Sequence, residues 1–204
     1  ASKQHKTIVR LKGGDPMLFG RADEEIRALK AIGVEVEVVP GITAALAGAA
    51  SLQQSLTLRE ISRSVAFITL AQATHGASPL ANQDKLQPIS NPTADTLVYY
   101  MGRKDATKIA QQLIEQSPNQ TAETPVHIME AVSTKRERLW SSTLGELADG
   151  KANDWFDSAS PALIMIGEAL RETAKAEKSS ESPSSEIDNS LQDGQVLTNS
   201  RRRA

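Results

Sequence analysis

Cysteine is absent from all 204 residues, which excludes disulfides and thiolate metal sites and fits a cytosolic protein. Aromatic residues make up only 3% of the chain, too few for a platform that stacks the bases of single-stranded nucleic acid. A large excess of one charge sign is missing as well. The net charge is −2 and no basic stripe precedes the last four residues, which argues against a nucleic-acid partner. No apolar run approaches the roughly 20 residues of a membrane helix, and no signal peptide opens the chain, so no membrane partner is expected. His5, His75 and His127 have no metal-ligand spacing, and no nucleophile elbow occurs, so neither a metal nor Ser-His-Asp chemistry is expected. The chain opens on Ala1 rather than methionine and enters a strand at Thr7, from which an absent upstream portion is expected.

What is present is a regular alternation. Hydrophobic residues make up 39% and fall in periodic runs, enough for a sizeable core. Thr7–Lys12 reads as a short β-branched strand. Helical spacing of Ile26, Leu29 and Ile32 predicts a helix over Ala22–Ile32, stopped by Gly33. Val34–Val39 alternates valine with Glu35 and Glu37, the pattern of a half-buried strand. Thr43 is placed to cap a small-residue helix over Ala44–Leu52. Periodicity lapses from Gln53 to Arg63, the expected boundary between a domain over 1–60 and one over 61–170. The second domain reads as strands over Ser64–Leu70 and Asp95–Met101, with a polar loop carrying Pro79, Pro88 and Pro92 between them. A helix over Lys104–Gln116 follows. "PVHIMEA" and "RERLWSST" then form a hairpin, Leu144–Ala148 a helical turn, and Pro161–Gly167 a buried strand. This order predicts an α/β protein with a mixed sheet and helices on its faces. Residues 171–204 carry seven serines, six acids and six bases with no period, which predicts a disordered tail.

Three stretches can carry chemistry. "GGDP", Gly13 to Pro16, follows a strand, where open α/β sheets place their ligands. Two glycines allow close backbone approach, and a carboxylate beside them can accept hydrogen bonds from hydroxyls or an ammonium. The loop is neither a Walker A sequence nor G-x-G-x-x-G, and a plain tight turn with an exposed aspartate is an equal reading. "PGITAALAGAASL" begins a helix with free backbone N–H groups that favour a carboxylate, or is simply a helix packed tightly on the sheet. "YYMG" ends a strand, where Met101 supplies either a soft wall or ordinary core.

Together these stretches resemble the tetrapyrrole methylase family, within its uroporphyrinogen-III C-methyltransferase branch. The residues that carry the resemblance are "VRLKGGDPMLFGR", "EVVPGITAA", "SLTLREISRSVAFIT", "TLVYYMG" and "SPALIMIGEAL", in matching order and spacing from Thr7 to Leu170. The resemblance implies two α/β domains with the cofactor in the cleft between them, the first incomplete here, in a homodimer. It implies S-adenosylmethionine as methyl donor, held by Gly13, Gly14, Asp15, Leu18, Thr43, Ala44, Met101 and Val132. Arg21, Thr57 and Arg59 would face a tetrapyrrole substrate, whose carboxylates suit arginine. The implied reaction is methyl transfer to two ring carbons of uroporphyrinogen III, giving precorrin-2 on the way to sirohaem and cobalamin.

The chain also departs from that pattern. The family's opening G-x-G-P-G-D loop, and the acid and lysine proposed as acid–base groups after it, do not occur here, which leaves the catalytic residues unassigned. "PLTHR" reads "SLTLR", with Ser55 and Leu58 as replacements, and Leu70-Ala71 stands where Gly-His is usual. Glu130-Ala131-Val132 replaces Glu-Asn-Gly, which places a branched side chain beside the adenosine pocket. Two other readings therefore stand: a degenerate, non-catalytic module of the same fold, and a relative that methylates another substrate.

Overall fold

Short apolar runs buried on both faces dominate the second half of the chain, and there they build a sheet. The computed structural model describes residues 5–70 and 93–172. Five strands form the sheet: β1 (Val65–Thr69), β2 (Thr96–Tyr100), β3 (Pro125–Glu130), β4 (Arg138–Thr143) and β5 (Ala162–Ile166). Their spatial order is β1-β2-β5-β3-β4. β1 and β2 run parallel, and the other neighbours are antiparallel, so the sheet is mixed as the element order predicts. β3 and β4 form the expected hairpin, from Glu130 opposite Arg138 to Pro125 opposite Thr143.

Alternation along each strand sends side chains to two cores. On one face, Leu97, Ile128 and Ile164 are fully buried under α3 (Ala106–Gln116) and α4 (Leu144–Ala148), which contribute Ile109, Leu113 and Leu147. On the other, Val98, Met129 and Met165 pack beneath α2 (Ala44–Leu52). That helix offers alanines and one glycine because it lies close. A Cβ on Gly48 would sit 3.1 Å from the Met129 sulfur and 3.4 Å from that of Met165. The expected tight packing of the small-residue helix is therefore present, and its bounds are those that the sequence predicts.

Two expected strands are not strands. The stretches predicted over Thr7–Lys12 and Val34–Val39 pair with no other described backbone. Alternation encodes which side of a strand is apolar, but a ladder needs a neighbour with free N–H and C=O groups. Without one, Val9, Leu11 and Val39 are 81%, 83% and 73% exposed. Charge holds the first stretch instead: Lys12 and Arg10 reach Glu25 on α1 (Ala22–Ala31) at 3.0 and 3.5 Å. α1 ends near its expected stop, with Gly33 left-handed at φ 73° and donating to the Lys30 carbonyl. The expected proline-bearing loop and all of the expected tail beyond residue 172 lie outside the described residues.

The parallel pair is pinned where both strands begin. Asp95 Oδ2 accepts from the Ser64 hydroxyl at 2.7 Å and from the Arg63 and Ser64 N–H groups at 2.9 and 3.1 Å. These bonds, the Ser64 hydroxyl foremost, hold the Asp95 carboxyl below its usual range. A carboxyl depressed in the folded state contributes stability above the unfolded value of about 3.9, and loses it as pH falls through the folded value. Melting curves from pH 6 down to 3 should therefore show a smaller acid-induced drop for Asp95→Asn than for the wild type. Parallel drops would remove Asp95 from the acid response.

Candidate functional site

The GGDP loop and the PGIT turn, 26 residues apart, fold directly onto each other. Asp15 makes the joint: Oδ2 accepts from the Gly41 N–H at 2.9 Å and Oδ1 from the Met17 N–H at 2.8 Å. Those two donors, Gly41 the stronger, keep the Asp15 carboxyl below the usual carboxylate range. Glycine is required where the loops touch. A Cβ on Gly41 would lie 2.2 Å from the Gly14 carbonyl oxygen. Gly14 itself is left-handed at φ 70° and faces Ile42, Thr43 and Ala44, at the start of α2. The loop then closes on Leu18, whose N–H donates to the Asp15 carbonyl at 3.3 Å. Asp15 is thus first a clasp between motifs, and one lone-pair direction on each oxygen is already used.

Ala44, which Gly14 faces at the joint, also lines a cleft of about 430 Å³, within the range of small-molecule sites, roughly 300–1,000 Å³. Ala44 from α2, Met101 from the end of β2, and Val132 from the β3–β4 hairpin all line it. Ser160, Pro161 and Ala162 supply a further wall where β5 begins. Left-handed non-glycine residues gather here: Met101 at φ 57° and Ala131 at φ 50°. Such conformations cost of order 1–3 kcal/mol each and recur at ligand sites. Met101 is 56% exposed, so it is a wall and not core. The Ser160 wall is held in place from below. Buried Glu130 accepts the Asp157 N–H at 2.9 Å, and Arg103 donates to the Asp157 and Ser160 carbonyls at 2.5 and 3.1 Å.

Tyr100, which the sequence pattern does not set apart from its strand neighbours, stands at the centre. Its hydroxyl lies 2.5 Å from that of Thr43 and accepts the Ala45 N–H at 3.1 Å. Its ring lies 4.9 Å from Phe19 of the GGDP loop and 6.3 Å from Phe67 of β1. Thr43 occupies the N-cap position of α2, yet its side chain makes no capping bond and turns to Tyr100 instead, which corrects the expected cap. Strand period was the available signal: if Leu97 and Tyr99 face α3, Val98 and Tyr100 must face α2.

The structure divides the remaining expected site residues. Ala44, Met101 and Val132 meet in the cleft. Gly14, Asp15 and Thr43 meet at the joint, with Gly13 and Leu18 on the same loop. Thr57 and Arg59 line a separate open depression of about 450 Å³ with Leu58 and Arg63, and share no lining residue with the cleft. Arg21 lines neither. It is left-handed at φ 54° at the N-cap of α1, where its guanidinium grips Glu24 at 2.9 and 2.5 Å. No cluster of three or more metal-ligating side chains occurs among the described residues. No described helix is long and apolar enough to cross a membrane.

Residues 1–148 match the family model of tetrapyrrole (corrin/porphyrin) methylases. The chain belongs to this family. It is 41% identical over 170 residues to the sirohaem synthase of Stutzerimonas stutzeri, covering 83% of this chain and 34% of that protein. Sirohaem synthase 2 of Aeromonas hydrophila is 40% identical over 173 residues, covering 84% of this chain and 34% of its own length. The chain thus spans about a third of the curated relatives it matches. Among solved structures, uroporphyrin III C-methyl transferase from Thermus thermophilus is 35% identical at a TM-score of 0.66, covering 83% of this chain and 67% of that one. The same Thermus enzyme is also known in complex with S-adenyl homocysteine, at the same similarity. A cobalt precorrin-4 methyltransferase, 24% identical at a TM-score of 0.61, shares the fold. The tetrapyrrole methylase α/β fold expected from the motifs is therefore established.

Proposed function

We propose that the chain is part of an S-adenosylmethionine-dependent C-methyltransferase that acts on uroporphyrinogen III and yields precorrin-2. The observation that carries this reading is the Asp15–Gly41 clasp, which seats both motif loops on the start of α2 beside the cleft. S-adenosylmethionine, when bound, supplies an activated methyl group on a sulfonium sulfur. The residues present fit that ligand in kind. Gly13 and Gly14 leave the loop backbone exposed beside the joint, Met101 is a polarizable apolar wall, and Ala44 begins a helix that favours a carboxylate.

In this reading Gly13, Gly14, Asp15, Leu18, Thr43, Ala44, Met101 and Val132 position the methyl donor. Alignment of the ring carbon with the methyl group then supplies much of the acceleration. Arg21, Thr57 and Arg59 receive the substrate's carboxylates, with Arg21 exchanging Glu24 for a substrate group. The reaction also requires a substrate proton to pass to an acid–base group of suitable pKa. The protein works as a cytoplasmic homodimer, with residues 1–60 and 61–170 contributing the two sides of the site.

Turnover of uroporphyrinogen III to a dimethylated product by the full-length protein tests the reading. In the same protein, Asp15→Ala should weaken S-adenosylmethionine binding in calorimetry by at least about tenfold, since two charge-assisted backbone bonds are lost. Unchanged affinity would remove Asp15 from the site. One observation favours a second reading, a binding module that has kept the fold without catalysis: Val132 lines the cleft at the position where the family carries glycine. Binding without turnover would select it.

A further inference from the structure

We propose that Tyr100 is a positioning residue of the cleft, whose hydroxyl sets the start of α2 and so the affinity for the methyl donor. The inference rests on the S-adenosylmethionine reading above.

Its basis is a substitution of roles. The first N–H groups of a helix need acceptors from outside it, normally from the N-cap side chain. Thr43 occupies that position and does not serve it. The phenol of Tyr100, arriving from β2 and 55 residues away, accepts the Ala45 N–H instead and bonds the Thr43 hydroxyl. Since the Ala45 N–H takes one lone pair on the phenol oxygen, the phenol proton is free to go to Thr43. Ala44, which lines the cleft, lies between the two residues that Tyr100 holds. The same ring carries Phe19, left-handed at φ 52° and part of the GGDP loop, on its surface. One side chain therefore fixes both motif loops relative to the cleft wall that it helps to form. Affinity gained this way comes from preorganisation, because the loops need no reordering when ligand enters.

Tyr100→Phe keeps the ring, and with it the Phe19 and Phe67 contacts, while deleting the bonds to Thr43 and Ala45. In full-length protein it should raise the S-adenosylhomocysteine Kd by at least about fivefold, and the S-adenosylmethionine KM similarly, with kcat within about twofold. Thr43→Val removes the other half of the shared bond. The double variant should lose less than the sum of the two single losses, since the bond between Thr43 and Tyr100 is counted in both. Phe67→Leu, which alters the T-shaped contact with the Tyr100 ring and leaves its hydroxyl bonds in place, serves as the comparison: it should lower the thermal midpoint without moving Kd. Wild-type affinity in Tyr100→Phe, or full additivity with Thr43→Val, would overturn the positioning role. Wild-type protein that binds neither S-adenosylmethionine nor its homocysteine product would instead overturn the methyl-donor reading itself.

Discussion

Gly41→Ala should cost at least about a hundredfold in affinity for S-adenosylhomocysteine while leaving a folded protein, because the loss of preorganisation of both loops amounts to roughly 3 kcal/mol. The added Cβ would lie 2.2 Å from the Gly14 carbonyl oxygen, 3.1 Å from its carbon and 3.4 Å from Asp15 Cα. All three are backbone, so no rotamer change relieves the contact. The PGIT turn has to withdraw, which breaks the Gly41 N–H to Asp15 bond and moves the start of α2 away from the GGDP loop. The move is confined to the first turn of α2, whose Ala45 belongs to the core beneath it, and the core under α3 and α4 is not touched, so the melting midpoint should fall by only a few degrees. Gly33→Ala isolates the effect of backbone strain. Gly33 is left-handed at φ 73°, and a methyl group added there would meet nothing within 4 Å, so this substitution should cost stability alone. Affinity in Gly41→Ala within about threefold of wild type would show that the two loops separate without consequence.

Gly167→Ala should be the most damaging substitution for the fold itself. At φ 149° the backbone occupies a region closed to residues with a Cβ, and the new atom would stand 2.7 Å from the Asp95 carbonyl oxygen and 3.0 Å from Thr96 Cα. Strain of about 1–3 kcal/mol adds to a backbone clash of about the same size. Gly167 directly follows β5, the central strand, and donates to the Pro125 carbonyl at the start of β3. A shift there disturbs the ladders on both sides of β5. Urea denaturation should show a loss of about 3–5 kcal/mol, with an unchanged m value if only the native state is affected. A loss below about 1 kcal/mol would show that the strand end relaxes freely.

The sheet was legible in the sequence because its strands carry the pattern of a two-sided core. Val98 and Met165 on one side, Leu97 and Ile164 on the other, follow from period 2 alone. α2 was legible to the residue, since Pro40-Gly41 precedes it and small side chains run its length. Pairing was not legible. Thr7–Lys12 and Val34–Val39 have the right residues for strands, yet no described strand pairs with them. Within the site, the glycines announced close approach, and the structure shows which backbone approaches which. Asp15, which reads in the sequence as a carboxylate for a ligand, serves first to join two loops, because a 26-residue separation conceals a 2.9 Å contact. Tyr100 escaped notice for a different reason. In a strand of apolar neighbours a tyrosine reads as core, and only the partner of its hydroxyl marks it as more.

The clasp also bears on how the chain can vary. It joins the two ends of an excursion made of α1 and its extended flanks, and closing a longer excursion costs only about 0.6 kcal/mol more for each doubling of its length. Insertions or deletions between Gly20 and Pro40 can therefore be absorbed outside the joint, provided that its two ends still meet. The length of that excursion is negotiable; the absence of a side chain at Gly41 is not.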